Sequence, residues 1–173
     1  MTQNDPFRPV DDTARDLARD LLNGSAHAAL AVLRPDTSLP SVTRIALATD
    51  TANLPVSLIS SLAEHTRALH ENPACALLVG EPADKGDPLT HPRLTLHCTA
   101  HFIQRNTPEH EAVRDRYLTL RPKAKLYVDF ADFSFVRFKI TDSLLNAGFG
   151  KAFRLQNNDF HSQTCPTRST SAD

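Results

Sequence analysis

Apolar and polar positions alternate along this chain in two different rhythms. In DDTARDLARDLLNG (11–24), Val10, Ala14, Leu17, Ala18 and Leu21 recur at helical spacing. Asp11 or Asp12 is placed to cap that helix, and Asn23-Gly24 to stop it. AHAALAVL (26–33) then predicts a buried strand, and Pro35, Asp36 and Pro40 mark the loop after it. SVTRIALATD (41–50) and PVSLIS (55–60) predict two more strands, joined through TANL as a hairpin. A helix opened by SSLAEHTRAL (60–69) ends near Asn72-Pro73. ACALLVG (74–80) reads as a strand, EPADKGDPLTHP as a loop, and RLTLHCTAHFI (93–103) as a long strand. Thr107 caps a further helix with Pro108 at its first position, and Pro122 stops it. A shorter helix is expected over PKAKLYVDF, and FSFVRFKI (133–140) and LLNAGFGKAF (144–153) supply the last strands. About seven strands, several joined by hairpins, predict a mainly β fold with peripheral helices and antiparallel pairing closed into a barrel.

Composition narrows the function. The 173 residues suit one domain with a sizeable core. With 19 basic and 20 acidic residues the net charge is -1, which excludes an electrostatic footprint for nucleic acid or a polybasic membrane surface. No apolar run reaches membrane-span length, and MTQNDPFRPVDD lacks the form of a secretory signal. Cys75, Cys98 and Cys165 form no C-x-x-C pair, so free thiols in the cytoplasm are expected. The polar end, NNDFHSQTCPTRSTSAD, divides the chain into a folded domain (1–155) and a flexible tail (156–173).

Candidate chemistry concentrates in the turn at 60–67. Ser61 and Glu64 match a capping box, which needs no ligand. His65, Thr66 and Arg67 are not explained by capping; a helix N-terminus flanked by such groups can hold a phosphate. Arg44, in the middle of an apolar strand, lies on the solvent face or is held by an anion. His97 and His101 share a strand face but stand roughly 13 Å apart, too far to share one metal. Gly148-Phe149-Gly150 reads as a bulge or a close backbone approach inside a strand, and Cys98 as a small core residue.

Taken in order, "ATD…LPVSLISSLAEHTRALHENPACALLV", "GDPLTHPRLTL", "RYLTLRPKAKLYVDFADFSFVRF" and "GFGKAF" resemble the pyridoxamine 5'-phosphate oxidase-like, FMN-binding split-barrel family, within it the HugZ-type haem-utilisation branch. The resemblance spans residues 12–155. It implies a six-stranded antiparallel split β-barrel with peripheral helices, forming a homodimer with its small-molecule ligand in the groove between subunits. For FMN it implies that Ser60, His65 and Thr66 hold the phosphate together with Arg44, that Arg93 approaches the isoalloxazine ring, and that Thr49-Asp50 borders the ribityl region. The oxidases carry S-R-K at the helix turn where this chain has Ala63-Glu64-His65, which removes two fixed cations. In the haem-handling branch the resemblance implies an axial histidine from the C-terminal segment, here His161, with Asp132 as the carboxylate that hydrogen-bonds it. Three functions follow as expectations: an FMN-dependent oxidoreductase, a haem-binding protein that opens the haem ring, and a carrier of either ligand without catalysis. No catalytic side chain is identified by the sequence.

Overall fold

The first apolar stripe forms α1 (Asp12–Gly24), with Asp11 as its N-cap accepting a 2.8 Å hydrogen bond from the Ala14 amide. The computed structural model describes residues 6–160, with eight strands and three α-helices. In chain order the other elements are β1 (His27–Leu33), β2 (Pro40–Ala46), β3 (Ala48–Thr49), β4 (Pro55–Ser60), α2 (Glu64–Glu71), β5 (Ala74–Val79), β6 (Arg93–Phe102), α3 (Pro108–Leu120), β7 (Phe133–Asn146) and β8 (Ala152–Gln156). Short 3-10 turns cover Pro88–Thr90, Pro122–Leu126 and Asn157–Phe160.

All strands pair antiparallel in one sheet of order β2-β1-β5-β6-β7-β4-β3, with β8 added to β7. The mainly β architecture agrees with a split barrel; the count is eight strands and not six. Two features make the difference. The stretch 41–50 breaks at Leu47, so that β2 pairs with β1 while only Ala48 and Thr49 pair with β4. The expected hairpin between 41–50 and 55–60 is thus reduced to two residues, because β2 pairs along its whole length with β1, from Leu33 opposite Pro40 to His27 opposite Ala46. Ser57 then joins the sheet's two margins through a 2.6 Å hydrogen bond from its hydroxyl to the Ala46 carbonyl.

The second feature is in β7. Thr141-Asp142-Ser143 does not end a strand, as the polar run suggested; it is a β-bulge within one 14-residue strand. His97 faces Asp142 and Cys98 faces Ile140, which leaves Thr141 as the extra residue. Gly148-Phe149-Gly150 is the turn joining β7 to β8, with Gly148 and Gly150 at φ 113° and 65°, where a side chain would be strained.

Two cores result. Leu30, Leu77, Leu96, Phe138 and Ile140 fill the barrel interior, where α1 adds Ala14, Ala18 and Leu22. On the outer face, α3 covers Val56, Leu58 and Phe135 with Val113 and Tyr117. Among the described residues no helix covers the rest of the outer face. Past β8 the chain stays packed to Phe160, which is 1% exposed and joins the interior core.

Candidate functional site

The turn before α2 is held together from within. Ser60 donates its hydroxyl to Asp132 Oδ2 at 2.6 Å and accepts the Leu62 amide at 3.1 Å. Thr66 is buried and donates its hydroxyl to the Ser60 carbonyl at 2.6 Å, and the Ser61 amide donates to the Asp132 carbonyl. The helix starts two residues later than the capping box predicts. Its N-cap is Ala63, which has no side-chain bond, and Glu64 meets Arg34 at 3.0 Å. The physical reason is Asp132, which holds the Ser60 hydroxyl and the Ser61 amide toward β7. His65 is half-buried with no partner for Nε2 among the described residues, and burial pushes its pKa down.

The residues expected to hold FMN therefore separate into three groups. Ser60, Thr66 and Asp132 share this turn with His65. Arg44 and Arg93 lie on the outer sheet face. Arg44 is exposed opposite Ala29, and Arg93 lines a shallow cleft with His27, Ala29 and Gly80. Arg93 also donates to the Leu89 carbonyl at 3.0 Å. This cleft is at the His27 end of β1 and α2 is at the Arg34 end, so strand rise puts them about 20 Å apart. Thr49 is buried and donates to Asn23 Oδ1, while Asp50 accepts two turn amides and a 2.7 Å ion pair from Arg137. Both serve the fold at that point. A phosphate at the α2 turn would meet the carboxylates of Asp132 and Glu64 and a neutral imidazole, so the polar groups present fit an anion poorly.

His161 lies outside the described residues. The chain before it ends with the Phe160 carbonyl accepting from Asn53, at the opposite end of β4 from Ser60 and Asp132.

The outer sheet face contains a pair the sequence reading missed. His97 Nδ1 is 2.7 Å from Asp142 Oδ1, with both side chains partly exposed. The row across the sheet runs Val42, Ala31, Ala76, His97, Asp142, Gln156. The sequence reading considers His97 only as a partner for His101 and places Asp142 in neither of the last two strands. The available signal was in β7 itself: burial alternates up to Ile140, slips by one at Thr141, and resumes with Ser143 and Leu145 inside. Apart from Arg44 on β2, the β2-β1-β5 half of this face is mainly apolar and open, with Val42 68% and Leu78 43% exposed beside Ala29, Ala31 and Ala76.

No family model matches the chain. A chloroplastic haem oxygenase of Arabidopsis thaliana, HOZ, is 38% identical over 123 residues, which is 70% of this chain and 36% of that protein. The chain thus spans about a third of the length of this curated relative. The structure of a haem-binding protein from Mycobacterium smegmatis is 25% identical, at a TM-score of 0.77, covering 89% of this chain and 61% of that one. A general stress protein 26-related structure of the pyridoxine phosphate oxidase family, from Clostridium acetobutylicum, has the same fold at a TM-score of 0.64 and 12% identity, over 88% of this chain and 100% of that one. Among the described residues no helix is long and apolar enough to cross a membrane.

Proposed function

Because the chain belongs to the pyridoxamine 5'-phosphate oxidase-like split-barrel family, nearest its HugZ-type haem-utilisation branch, we propose that it binds haem and, given dioxygen and a reductant, opens the haem ring. The observation that carries this reading is the 38% identity over 123 residues to a haem oxygenase. Haem, when bound, supplies the iron and is itself the substrate. The chain's part is to seat the porphyrin, supply an imidazole and keep bulk water away. His161 with Asp132 is one source of that imidazole. The two ends of β4 separate Asp132 from the end of the described chain, so this pairing fits two subunits better than one.

The protein acts as a homodimer in this reading. Val42, Leu78 and the alanines beside them form an apolar sheet face that a second copy can cover. The ligand then occupies the groove along that face. Cys75 and Cys98 stand directly opposite each other on β5 and β6 and are free thiols, which favours a reducing compartment such as the cytoplasm. Burial pushes Cys75 up to about 12 and also raises Cys98, so neither is a nucleophile at neutral pH.

FMN is the second reading, favoured by the unpartnered Nε2 of His65 beside the start of α2. The visible spectrum of the purified chain decides between them. Haemin retained through gel filtration with a sharp Soret band, bleached by ascorbate in air, is the expected result. A Soret band that persists under reductant identifies a carrier. Retained flavin bands with no affinity for haemin would reverse the assignment.

A further inference from the structure

We propose that His97 is an iron ligand for haem, presented by Asp142 on the outer sheet face. The proposal rests on the haem reading above and adds a residue to it.

The argument begins with the bulge. In β7 the residues up to Ile140 alternate so that Val136, Phe138 and Ile140 point into the barrel. Without an extra residue, Asp142 would continue that inward series and bury a carboxylate among leucines. Thr141 shifts the alternation by one. Asp142 comes out opposite His97, and Ser143 and Leu145 go in.

The pair has one defined polarity. An ionised carboxylate only accepts, so His97 Nδ1 must donate across the 2.7 Å contact. In the neutral imidazole the lone pair is then on Nε2, which has no hydrogen bond among the described residues. A carboxylate on one ring nitrogen and a free lone pair on the other is the arrangement metal-binding histidines use. A buried catalytic dyad would need a polar cleft around it. Here the neighbours on one side are Ala76 and Ala31, small and apolar, which leave a flat surface for a macrocycle. On the other side Lys139, opposite Thr99 on the next rung, is exposed and about 7–8 Å from His97 on sheet spacing, placed to meet a propionate. His97 thus stands where the more apolar half of the face gives way to the polar half.

The test compares the full chain with His97→Ala, His161→Ala and Asp142→Asn, each titrated with haemin and followed by absorbance, EPR and resonance Raman. His97 is on the surface, so the alanine variant should fold; a matching circular dichroism melt checks this, and His97→Gln replaces it if the melt shifts. The expected result is a loss of at least tenfold in haemin affinity for His97→Ala, with a changed Soret position restored by added imidazole. Asp142→Asn should keep the ligand but weaken binding 10- to 100-fold and lower the iron–histidine stretching frequency of the ferrous form. Unchanged affinity and spectra in folded His97→Ala would overturn the proposal and leave the haem reading intact, with His161→Ala then expected to carry the loss. A wild-type chain that retains no haemin would remove both.

Discussion

The turn before α2 and the centre of the outer sheet face each hold a histidine and an aspartate, and the two pairs end in opposite states. At the turn, Asp132 takes the hydroxyl of Ser60, Ser60 takes the amide of Leu62, and His65 stands apart with a desolvated ring. On the sheet face, Asp142 accepts a hydrogen bond from His97 Nδ1 and leaves the other ring nitrogen without a partner among the described residues. The residue types are the same; what differs is which hydrogen bonds the fold has already used. A polar group closed into the protein's own network holds the chain in place. One with a lone pair left open toward an apolar surface can hold a ligand.

Deleting Thr141 breaks this contrast most severely. The alternation of β7 would slip, sending Asp142 inward or everting Ser143 and Leu145. The expected cost is about 3 kcal/mol or more, read as a large fall in melting temperature together with loss of haemin binding. A deletion variant as stable as wild type would show that the bulge is not what places the carboxylate.

Asp132→Ala should act in the other direction, on stability and not on the sheet-face ligand. It frees the Ser60 hydroxyl and costs about 1–3 kcal/mol by chemical denaturation. The Ser61 amide keeps its bond to the main-chain carbonyl of residue 132. If haemin is held by His97, affinity stays within about twofold. A strong loss of haemin in a folded Asp132→Ala protein would favour the tail histidine instead.

A smaller effect is expected from pH. Burial lowers the pKa of His65, and burial with Arg105 and Arg114 lowers that of His110. The unfolded chain therefore takes up protons first as pH falls below about 6.5. Stability contributed by the neutral rings is complete above that pH and declines below it. His65→Leu should flatten part of the decline in melting temperature and leave the part due to His110. An identical pH profile would mean that the His65 ring is solvated.

Arg44→Ala and Arg93→Ala define the lower limit. Both side chains are at least partly exposed, and stability should change by less than about 0.5 kcal/mol. A loss of FMN binding in either, with haemin binding unchanged, would revive the flavin reading.

Local rules made much of this molecule legible. The Asp11 and Thr107 caps, the apolar stripe of α1, the alternation of β1 and the long run of β6 follow from spacing and from side chains that bond within three residues. The failures share one cause. The capping box lost Ser61 to Asp132, some seventy residues away, which takes the Ser61 amide and the neighbouring Ser60 hydroxyl. The hairpin at 41–60 gave way to pairing with β1. The bulge was read as a gap between two strands because a polar Thr-Asp-Ser run looks the same whether it ends a strand or re-aims one. In each case a partner outside the stretch itself decided the outcome; at the turn and at the bulge that partner is far away in sequence, and the candidate ligand pair is the product of such a partner.

The break at Leu47 has a further consequence. One continuous segment lies along both margins of the sheet, yet beyond Ala48 and Thr49 those margins meet without a main-chain ladder. This seam is where amide exchange should be fastest within the sheet, and where another chain could add a strand. Its exposed residues oppose that. Pro40 withholds an amide at the start of the segment, and Arg44 keeps a charge along it. The arginine that first drew attention as a phosphate ligand thus helps the chain resist aggregation.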